Sequence, residues 1–199
     1  MAKQRAAKHR KLEHRKLGHR KLGLTIAASI FVIDQITKWV MTYPLQLRDR
    51  RVIEVLPIFD LKWVENYGVS MGFLTADGEL GRWLLVALTG AISAAVFVWM
   101  WREKQRDDVI ALSLVLGGAL GNILDRIRLG HVVDFADLHF GDIHPFLVFN
   151  VGDAAITIGV LLLLVRALFT RERETANEFT RERDSGNEIA RERAAGKEV

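Results

Sequence analysis

The chain has 199 residues, of which 50% are hydrophobic and 26% charged, with a net charge of +4. The charges crowd both ends and the apolar residues fill the middle, which excludes a uniformly mixed soluble globule and points to one membrane-embedded domain with solvated tails. There are no cysteines, so a disulfide framework, a thiolate metal site and a cysteine nucleophile are all excluded.

In chain order, residues 1–22 form a basic, low-complexity arm with a five-residue repeat, seen in His9-Arg10-Lys11-Leu12-Glu13, His14-Arg15-Lys16-Leu17-Gly18 and His19-Arg20-Lys21-Leu22-Gly23. It reads as solvated and disordered or partly helical. The apolar run that follows lacks a small-x-small cleavage site, so it is expected to stay attached as the first of four spans, at about 22–41. A β-rich segment at about 45–74, including Val52–Leu56 and Phe59–Val64, predicts a small sheet on the membrane surface. The second span, about 83–101, is uncharged and has Trp83 and Trp101 at its ends, where an aromatic belt belongs. The third, about 109–125, is short and glycine-rich. A loop over Arg126–Pro145 precedes the fourth, about 146–165. Residues 170–199 form a charged tail in which Phe169-Thr170-Arg171-Glu172-Arg173 recurs at ten-residue spacing, too few copies to build a solenoid. The membrane domain is thus 23–169, and the fold class is membrane all-α, four transmembrane helices with a small extracytoplasmic β-cradle.

Lysine and arginine orient the spans. The first 22 residues hold nine, Arg102–Asp108 holds three, and Arg166 to the end holds eight, whereas Pro44–Glu79 has four against six acids. Both termini and the 102–108 loop are therefore expected in the cytoplasm, with the 45–74 and 126–145 segments outside. The basic tails are expected to meet anionic membrane lipids rather than nucleic acid.

An ionisable group inside a span is costly and by default marks function or pairing. Asp34 and Lys38 are four apart and share a helix face, which suits a structural ion pair. Asp125 and Arg126 close the third span, where Asp125 can cap or pair and Arg126 can reach the outer interface. Asp153 stands near the start of the fourth span with no basic neighbour in its own helix, between Asn150 and Thr157. Asp134 lies in Val132-Val133-Asp134-Phe135, before that span. Two carboxylates at one depth cannot both ionise cheaply, so they share a proton. Such a pair suits peptide hydrolysis: the ionised member takes a proton from water and the protonated one polarises the scissile carbonyl. His139, Asp142 and His144 are a competing metal reading, though their spacing matches no metal signature.

Five blocks in order then resemble the bacterial lipoprotein signal peptidases, or signal peptidase II. They are Asp34-Gln35-Ile36-Thr37-Lys38; Asn66-Tyr67-Gly68; Gly117-Gly118-Ala119-Leu120-Gly121-Asn122 with Asp125-Arg126; Gly130-His131-Val132-Val133-Asp134-Phe135; and Phe149-Asn150 with Asp153-Ala154-Ala155-Ile156. The resemblance covers 24–168 and neither tail. It implies four transmembrane helices, an extracytoplasmic β-cradle and an aspartic endopeptidase of the bacterial inner membrane, its active site on the periplasmic side. The implied substrate is a prolipoprotein already carrying diacylglyceryl on the cysteine that becomes its first residue. Asp134 and Asp153 match the family's catalytic aspartates. Asn122, Asp125, Arg126 and Asn150 match polar residues around the active site, and Asp34, Lys38, Asn66 and Gly68 match other signature positions. No metal or cofactor is implied, and a monomer is expected. The chain departs from the pattern with Gly152 where alanine is common and Met71 where phenylalanine is usual. The glycines at 117, 118 and 121 are expected on one face of the third helix, for close helix packing or to leave room for lipid or substrate.

Two other classes remain in view. A proton-coupled transporter would use Asp34, Lys38 and Asp153 as a relay, and a membrane scaffold would use Asp134 and Asp153 only as surface or capping residues.

Overall fold

The computed structural model describes residues 2–68, 79–141 and 143–169, with backbone alone for 2–16. Met71, Asp142, the 69–74 end of the expected cradle and the tail from residue 170 lie outside the described residues. The chain divides into two units, Met1–Val160 and Leu161–Val199, and the site described below lies wholly in the first.

Helix α1 runs Ala2–Thr42, so the basic arm is helical and continuous with the first span rather than disordered. The arm is rich in Ala, Leu, Lys and Arg and has no proline. A helix already nucleated in the span extends into such sequence one hydrogen bond at a time. After the short α2 (Leu47–Arg50) come β1 (Val52–Leu56) and β2 (Phe59–Asn66), then α3 (Glu79–Arg102), α4 (Arg106–Leu129) and β3 (Val132–Leu138). Helix α5, Val151–Phe169, closes the described part, and four of these helices are long and apolar enough to cross a membrane. Their outer faces expose large apolar side chains such as Ile36, Leu88 and Ile92, as lipid contact requires.

Helix α4 is the central one, with half of its span buried. Glycines set its neighbours close. A Cβ on Gly117 would strike the backbone of Ala27 in α1, one on Gly118 would strike the backbone of Gly152 in α5, and one on Gly121 would strike the Asp34 carboxylate. The three glycines therefore divide between two neighbouring helices instead of sharing one face.

The sheet has the order β1-β2-β3, antiparallel throughout. The small sheet expected from 45–74 thus includes a strand from the 126–145 loop. Pairing places Val64 opposite Asp134 and Asn66 opposite Val132. Leu47, Phe135 and Ala136 form a small core beneath the sheet, packed on by Met41, Trp63, Phe149 and Val151. The fourth helix begins at Val151, not near Phe146. The reason is that Phe149 is a strand-like residue: its carbonyl accepts from the Ala136 N–H at 2.8 Å and its N–H donates to the Ala136 carbonyl at 3.0 Å.

Candidate active site

Asn150 stands immediately before α5, with Asp153 as the helix's third residue. The Asn150 Oδ1 accepts the Asp153 N–H at 2.9 Å, and Asp153 Oδ2 accepts the Asn150 N–H at 3.2 Å. This reciprocal capping box satisfies two backbone donors that a helix start otherwise leaves orphaned. It also holds the Asp153 carboxylate at the positive end of the helix dipole, where negative charge is favoured. The next free donor, the N–H of Gly152, goes to Asp34 Oδ1 at 2.9 Å.

Because Asn150 Oδ1 faces a backbone N–H, which can only donate, its Nδ2 must point the other way. It donates to Asp134 Oδ1 at 2.6 Å and to Asn122 Oδ1 at 3.2 Å. One fully buried asparagine therefore touches both aspartates. Asn122 is oriented by the same logic. Its Oδ1 accepts from the Lys38 ammonium at 2.9 Å, so its Nδ2 is left to donate to Asp153 Oδ1 at 2.7 Å. Asn66 completes the ring. Its Oδ1 accepts the Gly68 N–H at 3.0 Å and its Nδ2 donates to Asp134 Oδ2 at 2.9 Å. Gly68 has φ 120°, and a Cβ there would sit 2.6 Å from Leu85 Cδ1, so this turn admits only glycine.

Asp134 is 1% exposed. Burial, and then the negative charge of Asp153, push its carboxyl up from the ordinary aspartate range to about 6, against the lowering pull of the two amide donors. Asp153 is only partly buried, so this member of the pair is open on one side.

Asp34 and Lys38 form their ion pair at 2.8 Å, but they are not an isolated pair at the outer interface. Lys38 also holds Asp125 Oδ2 at 2.7 Å, and all three groups are buried. Asp125 in turn accepts from the Val133 N–H at 3.3 Å, one residue before Asp134. Lys38 thus ties α1 to α4, and through Asn122 and Asp125 to both halves of the aspartate pair. Gln35 belongs to this network too, donating to Asp125 Oδ1 at 3.0 Å and to Asp34 Oδ2 at 3.3 Å. Its role was not read from the sequence. The available signal was a second polar residue beside Asp34 in the middle of a span.

Arg126 does not extend away to the interface. It is half-buried, within electrostatic reach of Asp153, Asp134 and Asp125, and its buried Nε has no hydrogen-bond partner among the described residues. On the opposite face of β2, Glu65 gathers Tyr67 Oη at 2.7 Å, Trp63 Nε1 at 3.3 Å and Arg48 at 3.2 Å, which holds the strand end that carries Asn66. Tyr67 donation, the largest effect, holds the Glu65 carboxyl below its ordinary range. Of the three residues in the metal reading, Asp142 lies outside the described residues. His144 sits 3.0 Å from Asp137 and His139 3.2 Å from Asp60, and no cluster of three or more metal-binding side chains occurs among the described residues.

Every candidate carried by the sequence blocks (Asp34, Lys38, Asn66, Gly68, Asn122, Asp125, Arg126, Asp134, Asn150 and Asp153) thus converges on one network at one end of the helices. Four helices of spanning length, a three-stranded sheet and two carboxylates joined by a shared asparagine make up a membrane domain with a buried polar centre. Residues 26–169 match the family described as signal peptidase (SPase) II. The chain is 60% identical over 153 residues to the lipoprotein signal peptidase of Rhizorhabdus wittichii, covering 77% of this chain and 89% of that one. It is 55% identical over 150 residues to that of Sphingopyxis alaskensis, covering 75% and 87%. A bacterial membrane enzyme solved by the in meso method at 1.9 Å superposes with a TM-score of 0.64 at 30% identity, covering 74% of this chain and 93% of that one. The chain belongs to the signal peptidase II family: it is a multi-pass membrane protease that removes the signal peptide from prolipoproteins. The transporter and scaffold readings fall with that assignment.

Proposed function

We propose that Asp134 and Asp153 together activate the water that cleaves the prolipoprotein, at the bond before a diacylglyceryl-modified cysteine. The observation that carries this reading is Asn150, which donates to Asp134 through Nδ2 and to Asp153 through its backbone N–H. A pair bridged in this way titrates as a unit and holds one proton over a range of pH. The ionised member takes a proton from water as it attacks the carbonyl carbon, while the protonated member gives its proton to the carbonyl oxygen; as the C–N bond breaks, the first member delivers the water's proton to the leaving nitrogen and the second recovers its own from the collapsing intermediate. Asn66, Asn122 and Asn150 fix the carboxylate rotamers, and Arg126, whose buried Nε has no partner among the described residues, is suited to a substrate carbonyl. Asp34, Lys38 and Asp125 hold the frame. No metal or cofactor has a part in this scheme.

The same reading sets the site on the extracytoplasmic side of the bacterial inner membrane, with both termini in the cytoplasm and the enzyme a monomer. The distribution of lysine and arginine supports it. A lipid anchor confines the substrate to the bilayer and fixes the depth of the scissile bond, so part of catalysis is positioning. The test is cleavage of a diacylglyceryl-modified prolipoprotein peptide in micelles. Asp134→Asn and Asp153→Asn should each lose at least about 10²-fold in rate, the low end for a positioned acid or base. Parental rates in both would sink the dyad. Topology is checked with single cysteines at 104 and 54 in this cysteine-free chain. An impermeant thiol reagent outside the membrane should label only the second.

A further inference from the structure

Helix α4 presents its active-site face, with Gly118, Asn122 and Asp125, toward α1, α5 and β3. At 100° per residue, Leu116, Leu120, Ile123 and Ile127 lie on the opposite face. There a cavity of about 770 Å³ opens between α1 and α3, walled by these residues together with Ala28, Gly90 and Phe97. Its wall is apolar. The hydroxyl of Ser93 is turned into its own helix, donating to the Thr89 carbonyl at 2.8 Å.

Gly90 distinguishes this cavity from loose packing. Glycine weakens a helix interior relative to alanine, so it needs a reason. Gly117, Gly118, Gly121 and Gly159 have one, because a Cβ on each would strike a neighbour. A Cβ on Gly90 would meet nothing within 4 Å. Among the described residues, the missing side chain leaves the wall open at this point of the cavity.

A cation lies beyond one end of the cavity, two ring contacts from its wall. Its wall residue Phe97 stacks on Trp101 at 5.6 Å, the Arg20 guanidinium lies 4.6 Å over the Trp101 ring, and Arg20 Nε donates to the Trp101 carbonyl at 3.1 Å. From Leu116 to Ile127 the cavity is about 17 Å long. That matches an acyl chain of one leaflet, about 15 Å, and is only about half of what a spanning helix needs.

We propose that this groove holds an acyl chain of an anionic phospholipid whose phosphate pairs with Arg20. The site rests on the chain's spanning the membrane and not on the dyad, from which it faces away. Bound there, the lipid fills the gap between α1 and α3 and braces α4 from behind.

The test is native mass spectrometry of the full chain from micelles containing equal dioleoyl phosphatidylglycerol and dioleoyl phosphatidylcholine. One phosphatidylglycerol should remain on each chain with about fivefold preference, the value of one interfacial arginine. Arg20→Gln should erase the preference. Gly90→Leu, whose side chain has open space, should displace the lipid while circular dichroism stays helical, and Ala94→Leu gives an independent reading from the next turn. Lipid retention in both filled variants, or an unchanged preference in Arg20→Gln, overturns the proposal. So does a dimer that Gly90→Leu dissociates, which would assign the groove to a second copy.

Discussion

Lys38→Met keeps the length of the side chain and removes its charge. In the native protein one ammonium faces Asp34 at 2.8 Å and Asp125 at 2.7 Å, with all three side chains at most 5% exposed. The substitution leaves two buried carboxylates with amide donors only: Gly152 N–H and Gln35 for Asp34, Val133 N–H and Gln35 for Asp125. Stranding a buried charge costs about 3–5 kcal/mol. For a chain of this size each kcal/mol is worth roughly 2–4 °C, so the thermal midpoint in micelles should fall by about 6 °C or more. Activity should fall further than stability explains. Without the ammonium, Asn122 Oδ1 keeps only the longer bond from Asn150 Nδ2, at 3.2 Å, and the amide turns its oxygen on Asp153 more readily. Adding Asp34→Asn to Lys38→Met should recover part of the midpoint, because the stranded charge is gone, but not the cleavage rate. The readouts are tryptophan fluorescence on heating and cleavage of lipidated peptide at 20 °C below the midpoint. A midpoint within about 2 °C of the parent, or a double variant that is additively worse, would refute the argument that Lys38 is the hub.

Asp134→Asn and Asp153→Asn should both be inactive yet shift stability in opposite senses. The Asp134 carboxyl is raised in the folded state, so its contribution is fully present below the unfolded value and is lost as pH rises through about 6. Asp134→Asn should therefore abolish a decline in thermal midpoint between about pH 4 and 7 and exceed the parent at pH 7.5. Asp153→Asn should destabilise by about 1 kcal/mol, because one capping-box acceptor becomes a donor facing Asn122 or the Asn150 N–H. Asn66→Ala removes a donor to ionised Asp134, so the alkaline limb of the kcat/KM profile should move upward by up to about one pH unit, and an unmoved limb would exclude that hydrogen bond from catalysis. Gly152→Ala and Gly118→Ala should each destabilise by about 1–3 kcal/mol despite alanine's better helix propensity. A Cβ on Gly152 sits 2.9 Å from the Gly118 carbonyl oxygen, and one on Gly118 overlaps the Gly152 backbone. A rise in midpoint for either would show that α4 and α5 are not in contact there.

Gly90 and Gly118 show where sequence reading ends: among the described residues a Cβ has open space at the first and strikes the Gly152 backbone at the second. Both are glycines in spanning helices, and nothing local separates them. What the chain alone determined is what local energetics encode. Four apolar runs of spanning length, the aromatic ends of α3 and the β-rich character of 52–64 follow from the cost of wetting apolar surface and of burying an unpaired backbone. The ordered blocks named both aspartates and their polar company. The acid in the apolar run Val132–Phe135 was legible as an anomaly, though its strand was not, since β3 is buried on both faces and shows no alternation. The tertiary structure alone decided how these residues meet. It ended the loop at Asn150 because Phe149 is spent on pairing with Ala136, and it turned Arg126 inward. It made Lys38, 84 residues from Asn122, the group that orients that amide, and gave the Gly152 N–H to Asp34 across 118 residues. Donor and acceptor directions propagate only through contacts, and contacts between distant segments exist only once the helices are packed.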